Sequence, residues 1–298
     1  MKSLNIAIVA FSIVVVQLVY PVTVSVPFVS AAPAAAGIYV AGESAKRPNN
    51  AGTSSPVSSI AVTRVKAPVV PDDSSIVSIV NNFALRHAGT YKVSVTELSG
   101  AQSHVAVDGD VTITTASTYK LFVAYSTIRA VEAGTWSWSD ITTTGQDVSK
   151  CFDLMIEDSD NDCAIALLLR LGYSTIEGDA SDQGATHTTF LDYDITSTAD
   201  DEALLLTKLG LGSLPITADS SLKWINAMKD NEYRDGIPSG LANMVVANKV
   251  GFLDDLLHDA AIVYSPRGTY VLVILTEGSS WADIAELSSE IEASRLIR

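Results

Sequence analysis

The sequence predicts an α/β fold of α+β arrangement: an antiparallel sheet built from both ends of one domain, flanked by helices, with an all-helical insertion. Three observations predict it. Apolar and polar residues alternate early, in Tyr91-Lys92-Val93-Ser94-Val95-Thr96-Glu97-Leu98 and in Ser103-His104-Val105-Ala106-Val107, with a turn at Gly100 between them. Strand-like runs return late, over residues 244–248, 260–264 and 269–275. Between these groups the apolar spacing is helical, so strands from the two ends close around inserted helices.

The elements follow in order. Ile76, Val77, Ile79, Val80, Phe83 and Leu85 give residues 75–86 the spacing of a helix docked on a core. Helices are expected over 117–133, 164–171, 199–209 and 221–230, the third capped by Thr196, Ser197 or Thr198. Ser265-Pro266-Arg267-Gly268 is a hairpin turn joining the last two strands, and a helix from 280 to about 295 closes the chain. The folded domain is expected over 74–298, with a helical subdomain over about 120–235. Residues 37–73, rich in Ala, Ser, Pro, Gly and Asn, form a flexible linker.

The 298 residues carry a formal charge of −15, which argues against nucleic acid as a partner because phosphate binding needs a basic face. Hydrophobic residues at 47% allow a substantial core. At the amino terminus, Lys2 precedes an uncharged stretch over residues 6–29 and then Ser30-Ala31-Ala32-Pro33-Ala34-Ala35-Ala36. Residues 1–36 therefore form a cleaved signal peptide or an uncleaved membrane anchor; either one exports the domain and confines membrane contact to this segment. Export makes Cys151 and Cys163 a candidate disulfide, with two buried free thiols as the alternative. Twelve positions along one straight helix would part them by about 18 Å, so a bridge requires a turn, for which Ser159-Asp160-Asn161 is suited.

Ser117-Thr118-Tyr119-Lys120 places a lysine one helical turn after a serine, where its amine can activate the hydroxyl. Alone the pattern is weak: Ser220-Ser221-Leu222-Lys223 repeats it. Ser159-Asp160-Asn161 and Lys249-Val250-Gly251 follow the first copy, and S-x-x-K, S-D-N and K-T-G in that order form the signature of class A β-lactamases and penicillin-binding proteins. The flanks Thr115 to Leu121, Met155 to Ala164, Gly236 to Leu241 and His258 to Val263 also resemble this family, over roughly residues 75–298.

The resemblance implies a β-lactamase/transpeptidase-like fold and the following roles. Ser117 attacks a lactam or amide carbonyl, Lys120 takes or relays its proton, and Ser159 passes a proton to the leaving nitrogen. Asn161 holds the substrate's side-chain amide, while Lys249 supplies positive charge on the strand that Gly251 continues at the substrate-binding edge. The backbone N–H groups of Ser117 and Phe252 form the oxyanion hole. The substrate is a small-molecule β-lactam or a peptidoglycan D-Ala peptide, and no cofactor or metal is required.

Two departures stand out. The family hydrolyses its acyl-enzyme with an omega-loop glutamate, and residues 178–201 contain none; Glu177 precedes the segment and Glu202 lies in the following helix. Val250 replaces the threonine whose hydroxyl helps hold the substrate carboxylate. Acylation with slow release is therefore the expectation, and a non-hydrolytic cell-envelope binding protein the alternative. His87, His104 and His187 lack metal spacing, and His258-Asp259 is read as structural because Lys120 fills the base role. Trp136 and Trp138 are packing or surface residues, and the acidic run 153–162 lacks the order of an EF-hand loop.

Overall fold

The computed structural model describes residues 73–100, 102–191 and 194–295; the expected leader and nearly all of the linker lie outside them. The chain runs through α1 (Asp73–Arg86), β1 (Thr90–Glu97), β2 (His104–Val107) and β3 (Ile113–Thr114) to a 3₁₀ turn, Ala116–Tyr119. The helical middle follows: α2 (Lys120–Glu132), α3 (Val148–Glu157), α4 (Asn161–Leu171) and α5 (Tyr173–Asp182). After the short strands β4 (Thr189–Leu191) and β5 (Asp194–Ser197) come α6 (Ala199–Gly210), α7 (Ala218–Lys229) and α8 (Ile237–Gly240). Strands β6 (Val245–Leu253), β7 (Leu256–Ser265) and β8 (Gly268–Glu277) precede α9 (Trp281–Ser294).

The main sheet has five antiparallel strands in the order β2-β1-β8-β7-β6, so the first and last strand groups meet where β1 pairs β8, Val93 opposite Ile274. β8 is central and covered on both faces, which is why its sequence is an almost unbroken apolar run. Tyr270, Leu272 and Ile274 join Phe83 of α1 and Ile284, Leu287 and Ile291 of α9 in one core. Val271, Val273 and Leu275 join α2 and the other middle helices in a second.

Helix α2 is buried from Lys120 through Ile128, so it lacks a polar face and acts as the hub of the middle region. Thr198 caps α6 by accepting the Asp201 N–H. The insertion is helical except for the hairpin β4–β5, which pairs with β3 to form a separate three-stranded sheet. Strand β6 lies at the edge of the main sheet and runs on to Leu253, five residues past the sequence-predicted end at 248, so Lys249, Val250 and Gly251 are strand residues.

Candidate active site

Ser117 lies in the 3₁₀ turn that leads directly into α2, and the Lys120 N–H bonds back to Ser117 O and Thr118 O. Ala116, the preceding residue, has φ +46°, a left-handed conformation that a residue with a Cβ seldom adopts. Its surroundings hold it there. Thr115 N–H donates to Ile195 O at 3.0 Å, and His258 Nε2 lies 2.9 Å from Thr114 O. Because His258 Nδ1 accepts from the Thr276 N–H, the ring proton sits on Nε2 and donates to Thr114. Burial lowers the His258 pKa, which keeps this ring neutral. Gly251 of β6 packs against the same elbow: a Cβ there would lie 2.7 Å from Thr115 O and 2.9 Å from Ser117 N. Only glycine allows that approach.

Lys120 is fully buried. Its Nζ donates to Ser159 O at 2.6 Å, to Asn161 Oδ1 at 2.7 Å and to Ser159 Oγ at 3.2 Å. Burial lowers its pKa to about 8, with Asp160 pulling the other way. Lys249 is equally buried and donates to Ser159 Oγ at 2.8 Å and Val250 O at 2.9 Å. Its pKa falls well below the usual lysine value, through burial first and the Lys120 charge second. Among the described residues neither lysine forms an ion pair with a carboxylate.

Ser159 therefore sits between two amines, and its backbone is left-handed at φ +57°. It occupies the turn between α3 and α4. Asp160 caps α4 through the Cys163 N–H, and the Cys151–Cys163 disulfide ties the two helices with Cα atoms 4.8 Å apart. The chain turns at the Ser159 segment, as the bridge requires.

Behind Lys249, Asn248 donates to Asp259 Oδ1 at 3.0 Å and accepts from Arg234 at 2.6 Å. Asp259 Oδ2 takes the Ile237 N–H at 2.8 Å. Burial pushes Asp259 up to about 7 against these bonds. Both His258 and Asp259 thus act on the backbone, which is the structural role the sequence reading gave them.

Residues 75–297 match the family described as the β-lactamase enzyme family. The chain belongs to that family. No curated protein matches it. Among solved structures, PBP-A is similar at 20% identity and TM-score 0.70, over 76% of this chain and 97% of that one. A mutant of PBP-A, solved as an acyl-enzyme complex with penicillin G, is similar at 20% identity and TM-score 0.69, over 76% and 97%. A β-lactamase from Sphaerobacter thermophilus DSM 20745 is similar at 18% identity and TM-score 0.67, over 75% and 96%. These likenesses establish the β-lactamase fold.

Within this β-lactamase-family chain the structure brings Lys120, Ser159, Asn161 and Lys249 into direct contact and sets Gly251 against Ser117. The second serine–lysine copy is dispersed: Ser220 Oγ accepts from Thr217 Oγ1 at 3.1 Å, and Lys223 pairs with Asp153. Val250 is buried, and Phe252 is 46% exposed beside Tyr233 and Trp281, with ring centroids 5.4 and 6.5 Å away. Trp136 lies under Arg170 and Trp138 packs edge-on against Phe152. Glu177 accepts the Phe190 N–H and braces β4. Among the described residues no three or more His, Cys, Asp and Glu side chains converge as a metal site.

Glu202, which follows the loop segment in the sequence and has no role in the motif set, proves to lie against the Ser117 turn. It is fully buried, and its Oε1 is 2.5 Å from Thr118 Oγ1. Its signal was present: Ala199, Glu202, Ala203 and Leu206 share one helical face, so a glutamate stands on a buried stripe.

Proposed function

We propose that this chain is a serine hydrolase that forms an acyl-enzyme through Ser117 on a β-lactam or a D-Ala peptide amide, with slow deacylation. The observation that carries the reading is the convergence on Ser159 of two buried lysines without carboxylate ion pairs, of which Lys120 stands one helical turn after Ser117. A lysine with a pKa near 8 is partly neutral at physiological pH and can take a proton.

Ser117 Oγ attacks the carbonyl carbon and its proton passes to neutral Lys120. The negative charge on the carbonyl oxygen is held by the N–H groups of Ser117 and Phe252. Lys120 returns a proton through Ser159 Oγ to the leaving nitrogen, the C–N bond breaks, and the ester on Ser117 remains. Lys249 holds Ser159 by donating to it, and its charge favours an anionic substrate group. Asn161 Oδ1 is occupied by Lys120, which leaves its Nδ2 hydrogens for a substrate carbonyl.

Two departures support the reading of inefficient turnover, the first by slowing release and the second by weakening substrate binding. No glutamate occurs in residues 178–201. Val250 offers no hydroxyl, and a missing donor weakens carboxylate binding by about 1–3 kcal/mol. The amino-terminal apolar segment and the disulfide support export, with a cleaved leader or a retained anchor.

The test incubates purified protein with penicillin G and follows ring opening and intact mass, alongside Ser117→Ala. A persistent penicilloyl adduct on wild type alone is expected. Fast ring opening without an adduct would contradict slow release. The absence of both would remove the β-lactam reading.

A further inference from the structure

We propose that Glu202 is a neutral carboxylic acid that positions the nucleophile: it donates its proton to Thr118 Oγ1, which donates its own to Thr115 O. Ionisation of Glu202 then releases the elbow that presents Ser117. The proposal rests on the Ser117 acyl-transfer reading and deepens it.

Hydrogen counting carries the assignment. Thr118 Oγ1 lies 2.9 Å from Thr115 O and 2.5 Å from Glu202 Oε1. A hydroxyl has one hydrogen, and a backbone carbonyl can only accept. With an ionised Glu202, two acceptors would compete for that hydrogen and one contact would join bare oxygens. A protonated Glu202 satisfies the row: acid to hydroxyl to carbonyl. The second carboxyl oxygen, Oε2, is buried without a partner, a position far less costly for a neutral acid than for a carboxylate.

The row ends where positioning matters. Thr115 O and Ser117 N flank Ala116 at φ +46°, and both lie against Gly251. The hydroxyl that Glu202 holds belongs to the residue after the nucleophile.

The electrostatic surroundings agree. Burial raises Glu202 to about 8; the Thr118 contact opposes this, Asp201 adds to it and Lys249 opposes it. Asp201, on the same helix, is engaged by the His187 N–H and Thr188 Oγ1. Lys249 faces from β6, with Lys120 and Asp259 acting on it. From β7, His258 is neutral, and Lys92 of β1 acts on that ring. Asp200 pairs with His104 of β2. From β8, Val271, Val273 and Leu275 are apolar members of the same core as Leu205 and Leu206 of α6.

The experiment compares wild type with Glu202→Gln, which keeps the shape and an N–H donor, and Glu202→Leu, which keeps burial without a donor. Acylation by a fluorescent penicillin is timed from pH 6 to 9.5, and Tm of the unligated proteins is recorded over pH 5–9. Glu202→Gln should acylate at pH 7 close to the wild-type rate. With the acid titrating near pH 8, its rate relative to wild type should rise about tenfold by pH 9. Glu202→Leu should be slower than Glu202→Gln by roughly 10- to 100-fold at every pH, and its deficit against wild type should shrink as pH rises past 8. Because the folded protein holds the Glu202 proton more tightly than the unfolded chain, wild type loses stability as pH rises from about 4.5 to 8. The Tm advantage of Glu202→Gln should therefore grow across that window.

A folded Glu202→Gln that fails to acylate at pH 7 would overturn the proposal, since a working carboxylate would be lost. So would a Tm difference that is flat with pH. If wild type forms no adduct at all, the Ser117 reading falls and the positioning role with it, while the melting series still decides whether Glu202 is held as an acid.

Discussion

Two buried charge clusters solve the same physical problem in opposite ways. At the carboxyl end of α9, Arg295 reaches Glu97 with two bonds of 2.7 and 2.8 Å and Glu292 with a third of 2.6 Å. Its guanidinium also lies 3.5 Å over the Tyr270 ring. Burial acts to lower its pKa, but the Glu97 bonds outweigh burial and hold it above the usual value. At the other cluster Lys120 and Lys249 share the oxygens of Ser159, and Glu202 offers its carboxyl only to a hydroxyl. There burial wins, and all three groups are displaced toward neutrality. A satisfied network fixes structure, whereas an under-neutralised one holds protons that can move near pH 7.

The contrast can be broken from either side. The largest effect is expected at Lys120→Met, which removes the proposed proton acceptor and should lower the acylation rate by about 10²–10⁴-fold. Its Tm should fall only modestly, because relief of a buried amine offsets the loss of the donor to Ser159 O and Asn161 Oδ1, and thermal melts check this. Glu97→Ala should do the reverse. Leaving Arg295 buried without its bidentate partner should cost about 3–5 kcal/mol in denaturant unfolding, with the acylation rate of the remaining folded protein near wild type.

Reducing the Cys151–Cys163 bond should be smaller, about 3 kcal/mol for a loop of this size. Because the bond brackets Ser159, acylation should slow as well. Thr198→Ala, at the cap of the helix that carries Glu202, should cost about 1 kcal/mol. The pH profile sharpens the comparison further. Acylation needs neutral Lys120 and should rise through about pH 8, while ionisation of Glu202 should pull it down through the same region. A narrow bell near pH 8 is the expected rate profile.

Legibility in the sequence followed burial. Strands β1, β7 and β8 and helices α1 and α9 were readable because one or both faces enter a continuous core. Helix α3 carries the same signal in Val148, Cys151, Phe152, Met155 and Ile156, although the sequence reading placed no helix over 148–157 from periodicity. Helix α5 was unreadable, since only Ile176 and Ala180 are buried in a polar segment. Strands β4 and β5 are too short to show a period. At the site, motif order located Ser117, Lys120, Ser159, Asn161 and Lys249. The row of Glu202, Thr118 and Thr115 lay beyond it, because the contact joins residues 84 positions apart.

The central claim is that Ser117 is the acylated residue and Lys120 its base. Tandem mass mapping of penicillin-treated protein tests it most directly, with Ser117→Ala and Lys120→Met processed in parallel. The penicilloyl mass should fall on Ser117 in wild type, be absent from Ser117→Ala, and accumulate far more slowly in Lys120→Met. A label on any other residue, or an undiminished label in Ser117→Ala, would contradict the account.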